Sequence, residues 1–139
     1  MNIVHFIHIF FVGCWLGVVA VEAVIEWRAA KDKQIHVLGK WHYYIDIFVE
    51  IPVFSIVLLT GIVMISLINV IDQRIIIKVI LGLIPVAVNV WCVYPVVMRK
   101  KNIEKGKKPE IQRYSNQIYI AFITGLPFGI AALVYGLMN

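Results

Sequence analysis

The sequence predicts an all-α integral membrane protein, a single bundle of four transmembrane helices. Three observations predict it. Apolar residues make up 61% of the 139-residue chain and charged ones 15%, a balance too apolar for a soluble domain. Four apolar stretches each reach the roughly 20 residues that cross a bilayer core. The basic residues are confined almost entirely to two of the connections.

The first stretch, about residues 3–27, has no Lys or Arg ahead of it and exceeds a signal-peptide core in length, so it is expected to be a retained helix. The second, about residues 41–68, follows a basic connection containing Arg28, Lys31, Lys33 and Lys40. The third, about residues 75–98, follows a short turn near Asn69 to Arg74. The fourth, about residues 114–138, follows the polar segment Arg99 to Arg113, which reads as a solvated loop through Gly106 and Pro109. Together these spans make residues 1–139 one transmembrane domain.

Eleven of the 13 Lys and Arg lie in the first and third connections, counting Arg99, Lys100, Lys101, Lys105, Lys107, Lys108 and Arg113 in the latter. The positive-inside rule then puts both connections in the cytoplasm and both termini outside it. The same placement assigns the net charge of +5 to topology and anionic headgroups rather than to nucleic acid. Cys14 and Cys92 fall in apolar spans at different depths and are expected to be unbridged. Gly13 with Gly17, and Gly125 with Gly129, form two GxxxG pairs suited to close helix packing, within the bundle or in a homodimer. Pro52, two residues after Glu50, is expected either to bend its helix locally or to shape a pocket beside that carboxyl.

Five ionisable groups flank the first hairpin. Glu22 and Glu26 are four apart, and His42, Asp46 and Glu50 repeat at four, so each set occupies one helix face. In an antiparallel pair Glu26 comes level with His42 and Glu22 with Asp46, leaving Glu50 about one turn deeper. Immersed charges are costly and mark ion, proton or cofactor sites, and the residues around these supply no cation to compensate them. The set suits a divalent metal ion such as iron, manganese, zinc or copper. Its i, i+4 spacing differs from the Glu-x-x-His pattern of ferritin-like sites. A proton relay among closely spaced carboxyls is the alternative, and Glu26 and His42 are open to an interfacial reading in which they pair with Arg28 or Lys40. Asn89, Tyr94, Gln117 and Tyr119 are further candidate hydrogen-bonding groups.

At the other end, His5 and His8 open the first span and Lys78 opens the third, which runs in the same direction. His8 and Lys78 come to similar depth. A lysine within Ile75-Ile76-Ile77-Lys78-Val79-Ile80-Leu81 either snorkels to the surface or has a partner. An imidazole and an amine can both ligate iron, and haem is an apolar cofactor that helical bundles hold.

Three local patterns carry a family resemblance. The first span has His8 followed seven residues later by Trp15 and then Gly17; the second has Pro52 and then Thr60-Gly61; the third has Ile77-Lys78-Val79 with Asn89 eleven residues on. These patterns, spread over the first three spans, resemble the copper-resistance D-like membrane proteins and the related HemJ-type protoporphyrinogen oxidases. The resemblance implies a multi-pass protein of a bacterial cytoplasmic membrane that holds haem b through His8 and Lys78, with His5 as an auxiliary group and Asn89 at the position of a family histidine. It further implies electron exchange with a quinone, a porphyrinogen, a small oxidant or a redox partner protein, an oxidoreductase activity being open. Two other expectations stand beside it: binding or translocation of a divalent metal ion at the acidic cluster, and a small structural subunit of a membrane complex.

Overall fold

The computed structural model describes residues 3–31 and 34–138. Within them lie four long helices: α1 (Ile3–Lys31), α2 (Ile35–Ser66), α3 (Gln73–Glu104) and α4 (Lys108–Met138). Each is long and apolar enough to cross a membrane, so the chain is a multi-pass membrane protein with the expected four-helix fold. The helices pack as a bundle in which α1 lies against α2 and α4, and α3 lies against α2 and α4.

The helices overrun the apolar stretches at their basic ends. α1 continues to Lys31, α2 begins at Ile35, α3 reaches Glu104 and α4 starts at Lys108. Hydropathy marks where hydrocarbon contact ends, but a helix continues while its backbone hydrogen bonds are made and one face is still packed. The expected solvated loop from Arg99 to Arg113 is therefore mostly helix, with Arg99, Asn102, Ile103 and Ile111 buried. The connection itself contracts to Lys105–Lys107. There Gly106 takes φ 66°, its N–H reaches the Ile103 carbonyl at 3.2 Å and the Lys107 N–H reaches that of Asn102 at 3.1 Å. That is a Schellman stop, and glycine takes its left-handed position without a Cβ penalty. At the opposite end Asp72 caps α3 by accepting from the Ile75 N–H at 2.9 Å.

The surface is what lipid requires. Large apolar side chains such as Phe10, Leu59, Ile80, Ile123 and Leu137 point outward, and polar groups turn inward. At the basic end Trp27 and Trp41 are exposed as an interfacial aromatic belt would be, with Lys31 over the Trp27 ring at 5.1 Å and Lys100 over the Tyr43 ring at 4.5 Å. Lys33, expected in the same basic connection, lies outside the described residues.

The two glycine pairs part company. A Cβ on Gly125 would stand 3.1 Å from Val88 and one on Gly129 3.1 Å from Leu16, so these two bring α4 close to α3 and α1. Gly13 and Gly17 have nothing within 4 Å of such a position and face outward, so of the two expected uses they do not serve packing within the bundle. Cys14 and Cys92 are unbridged, as expected.

The hydrogen-bond ladder of α2 is interrupted once. The helix is α-helical over Ile35–Ile45 and Ile51–Ser66, but Asp46–Glu50 forms a π-turn. Pro52 lies two residues beyond its end. Proline lacks an N–H and its ring crowds the carbonyl one turn back, a conflict that widening the preceding turn relieves. Such turns recur at functional sites, and this one carries Asp46 and Glu50 at its two ends.

Candidate functional sites at the two ends of the bundle core

The inner site begins with the antiparallel packing of α1 on α2, which brings the two acidic faces together. Glu22, Asp46 and Glu50 are all buried, and one carboxylate oxygen from each lies within 4.8 Å of the other two. Glu26 meets His42 Nδ1. The convergence of the two faces that the spacing implied is thus realised, and His42, 1% exposed, is a core residue and not an interfacial one.

Arg99 is the residue the sequence misassigned. Expected at the head of a solvated cytoplasmic connection, it lies instead inside α3 with no exposed surface. Its Nη1 donates to Glu26 Oε2 at 2.7 Å and its Nη2 to Glu26 Oε1 at 2.5 Å, a bidentate fork. Nη1 also reaches Ser115 Oγ at 3.3 Å and Nη2 lies 3.0 Å from His42 Nδ1. The cation lacking near the acidic groups therefore arrives from a helix 73 positions further along. It compensates Glu26, while Glu22, Asp46 and Glu50 form a group of their own. A signal for Arg99 did exist: Pro85, Asn89, Cys92, Val96 and Arg99 follow one another at steps of four and three, one continuous inward helix face.

Further donors converge on Glu50. Trp15 Nε1 donates to Oε1 at 2.9 Å, and Asn89 Nδ2 donates to the same oxygen. Asn89, expected as a further hydrogen-bonding group and, through the family resemblance, as a haem-site residue, lies at the inner site. Tyr94 and Tyr119, expected as further donors, are exposed on the outside of α3 and α4. Four polar oxygens on these helices are buried without a hydrogen-bond donor: Glu22 Oε1, Asp46 Oδ2, Asn89 Oδ1 and Gln117 Oε1. A cavity of about 50 Å³ is bordered by Glu22, His42, Glu50, Asn89 and Cys92, well above the ~10–15 Å³ that one water needs.

The outer site occupies the other half of the bundle. An apolar cleft of about 290 Å³, walled by residues such as Ile9, Val57, Ile65 and Leu133, contains His5, His8 and Lys78. The pair expected from depth alone therefore faces one space. His8 Nδ1 lies 2.9 Å from Thr60 Oγ1, whose hydroxyl already donates to the Ile56 carbonyl at 2.7 Å. With that hydrogen committed, Thr60 accepts from the imidazole, Nδ1 carries the proton and the Nε2 lone pair is left for another partner. A Cβ on Gly61 would come to 3.4 Å from His8 Cε1, so Thr60 holds the ring and Gly61 makes room for it. The histidine of the first span and the Thr-Gly pair of the second, two of the patterns behind the family resemblance, are neighbours in space.

Trp15, Pro85 and Gly129 border both spaces and separate them. The indole spans that wall, with its N–H on Glu50. Fold and sites together define a class: a four-helix membrane protein with an apolar cleft at one end of its core and, at the other, a buried carboxyl cluster beside a small cavity. Comparison with family models, curated proteins and solved structures found no match for the chain.

Proposed function

We propose that the protein is an integral membrane haem-b redox protein of a bacterial cytoplasmic membrane, exchanging electrons with a quinone, a porphyrinogen or a small oxidant. The observation that carries this reading is the orientation of His8, whose Nδ1 is fixed by Thr60 and whose Nε2 is left available in an apolar cleft shared with Lys78. A ligating histidine held at its other nitrogen is the usual arrangement of metal-bound imidazole. The cleft approaches the roughly 300–1,000 Å³ of cofactor pockets, and its apolar walls suit a flat hydrophobic macrocycle.

His8 and Lys78 would hold the iron, with His5 as the group that assists or replaces His8. Haem supplies one-electron chemistry when bound. The chain's own residues do the rest. Thr60 orients the imidazole and Gly61 admits it; the apolar walls exclude water; Trp15 joins the cleft to the carboxyl cavity, where protons accompanying the electron can be held. A porphyrinogen substrate and a quinone both need such paired transfer.

The test is the visible spectrum of protein purified from haem-replete cells. A Soret band is expected in the wild type and in His5→Ala, and its loss in His8→Ala; a colourless, folded wild type refutes the reading. Thr60→Val keeps the shape of the side chain but removes the acceptor for His8 Nδ1. Loss of such a supporting contact weakens metal affinity by roughly 10–100-fold, so haem titration of this variant is expected to show weakened binding of that order. Unchanged affinity would mean that Thr60 does not set the imidazole.

A further inference from the structure

We infer that the carboxyl cluster beside the inner cavity is a divalent metal-ion site, separate from the haem cleft, with Glu22, Asp46 and Glu50 as carboxylate ligands, His42 Nε2 as the nitrogen ligand and Asn89 Oδ1 as a neutral oxygen ligand. The acidic cluster does not carry this alone. Asn89 is about nine-tenths buried, borders the same cavity as Glu22, His42 and Glu50, and has a side-chain oxygen with no partner. An orphaned buried carbonyl wants a donor or a cation. Its amide nitrogen is already committed to Glu50, which fixes the oxygen as the free end. Glu22 Oε1 and Asp46 Oδ2, equally buried, are also unpartnered acceptors. A site made of acceptors, with room for something small, calls for a positive charge.

The histidine completes the set. Its Nδ1 meets both the Glu26 carboxylate, which can only accept, and Arg99 Nη2, which can only donate; with Nη2 donating to Glu26 Oε1, the tautomer that places the Nδ1 proton on Glu26 leaves the lone pair on Nε2. Nε2 lies 3.9 Å from Glu22 Oε1, on the side of the carboxyl cluster. Arg99 fixes Glu26 from behind through both of its carboxylate oxygens. This is the carboxylate–histidine support found behind metal-bound imidazoles. Trp15 and Asn89 both donate to Glu50 Oε1, so Oε2 is taken by neither. The Glu26–Arg99 pair is neutral as a unit, so the three remaining carboxylates supply the negative charge for a dication. Carboxylate oxygens with one imidazole nitrogen suit Mn²⁺, Fe²⁺ or Zn²⁺, whereas the single thiol at the cavity, Cys92, does not make the multi-sulfur set that Cu⁺ prefers. The cavity of about 50 Å³ leaves space for water beside the ion.

The experiment is titration of purified, chelator-stripped protein in detergent with Mn²⁺, read by loss of the free-ion paramagnetic resonance signal, with Zn²⁺ as competitor. The expected result is one Mn²⁺ per chain, displaced by Zn²⁺, and weaker binding by two orders of magnitude or more in Glu22→Gln and in Glu50→Gln. Both variants keep an amide oxygen to accept hydrogen bonds, and circular dichroism with size exclusion confirms that they fold. His42→Gln is expected to weaken Mn²⁺ binding as well, whereas His8→Ala leaves it intact even where haem is lost. The metal site and the haem reading thus fail separately. A folded wild type that takes up neither Mn²⁺ nor Zn²⁺ overturns the site and leaves the three carboxyls compensated by protons; equal Mn²⁺ affinity in wild type and both Glu→Gln variants overturns it too.

Discussion

Replacing Arg99 with methionine is expected to destabilise the bundle by about 3–5 kcal/mol, the range for breaking a buried ion pair by removal of one partner. Arg99 has no exposed surface, and its guanidinium is the cation on Glu26. With methionine in its place Glu26 keeps His42 but loses both guanidinium hydrogen bonds and faces an apolar neighbour. The measurement is reversible unfolding in mixed detergent micelles, followed by far-ultraviolet circular dichroism. The double variant Arg99→Met with Glu26→Leu is expected to recover most of the loss, because the charge and its counter-charge leave together. A loss below about 1 kcal/mol in the single variant would show that the pair is solvated, as exposed pairs are.

Glu50→Leu is the second large effect. Glu50 Oε1 accepts from the Trp15 indole N–H and the Asn89 amide, and leucine would leave two buried donors without an acceptor. Each such donor costs about 1–3 kcal/mol, so the variant is expected to lose about 2–6 kcal/mol. Measured in chelator, this loss is independent of any bound ion. Glu50→Gln retains an oxygen at the same place and is expected to stay within about 1 kcal/mol of the wild type. Similar stability for Glu50→Leu and Glu50→Gln would argue that Trp15 and Asn89 find other acceptors.

Arg99 and Glu50 differ in how legible they are in the sequence. Glu50 was readable as a site residue because its i, i+4 relation to Asp46 and His42 and the immersion of a charge are local facts of the chain. That His8 and Lys78 line one cleft was readable from depth, since two helices running in the same direction keep their residues in register with the bilayer. Arg99 was not readable in this way. It opens the basic run Arg99-Lys100-Lys101, and a run of charges after an apolar span is ordinarily a solvated flank. Asn89 was readable as a hydrogen-bonding group at the depth of the acidic cluster, but spacing along one helix gives its depth and face and not that Glu50 is the neighbour this face meets.

The sequence by itself determined the fold class, the number of spans, the sorting of basic residues to two of the connections, and the two depths at which polar side chains enter the membrane. All of these follow from one-dimensional quantities, namely hydropathy over about 20 residues and rise per residue along a helix. Only the tertiary structure decided how the charges pair. It ran α3 past its apolar stretch so that Arg99 reached Glu26, turned Asn89 and Trp15 onto Glu50, and set Thr60 behind His8. The physical reason is the short reach of hydrogen bonds and ion pairs. They are fixed by the rotation and spacing of helices about one another, which come from packing contacts such as Gly125 on Val88 and Gly129 on Leu16, between residues far apart in the chain.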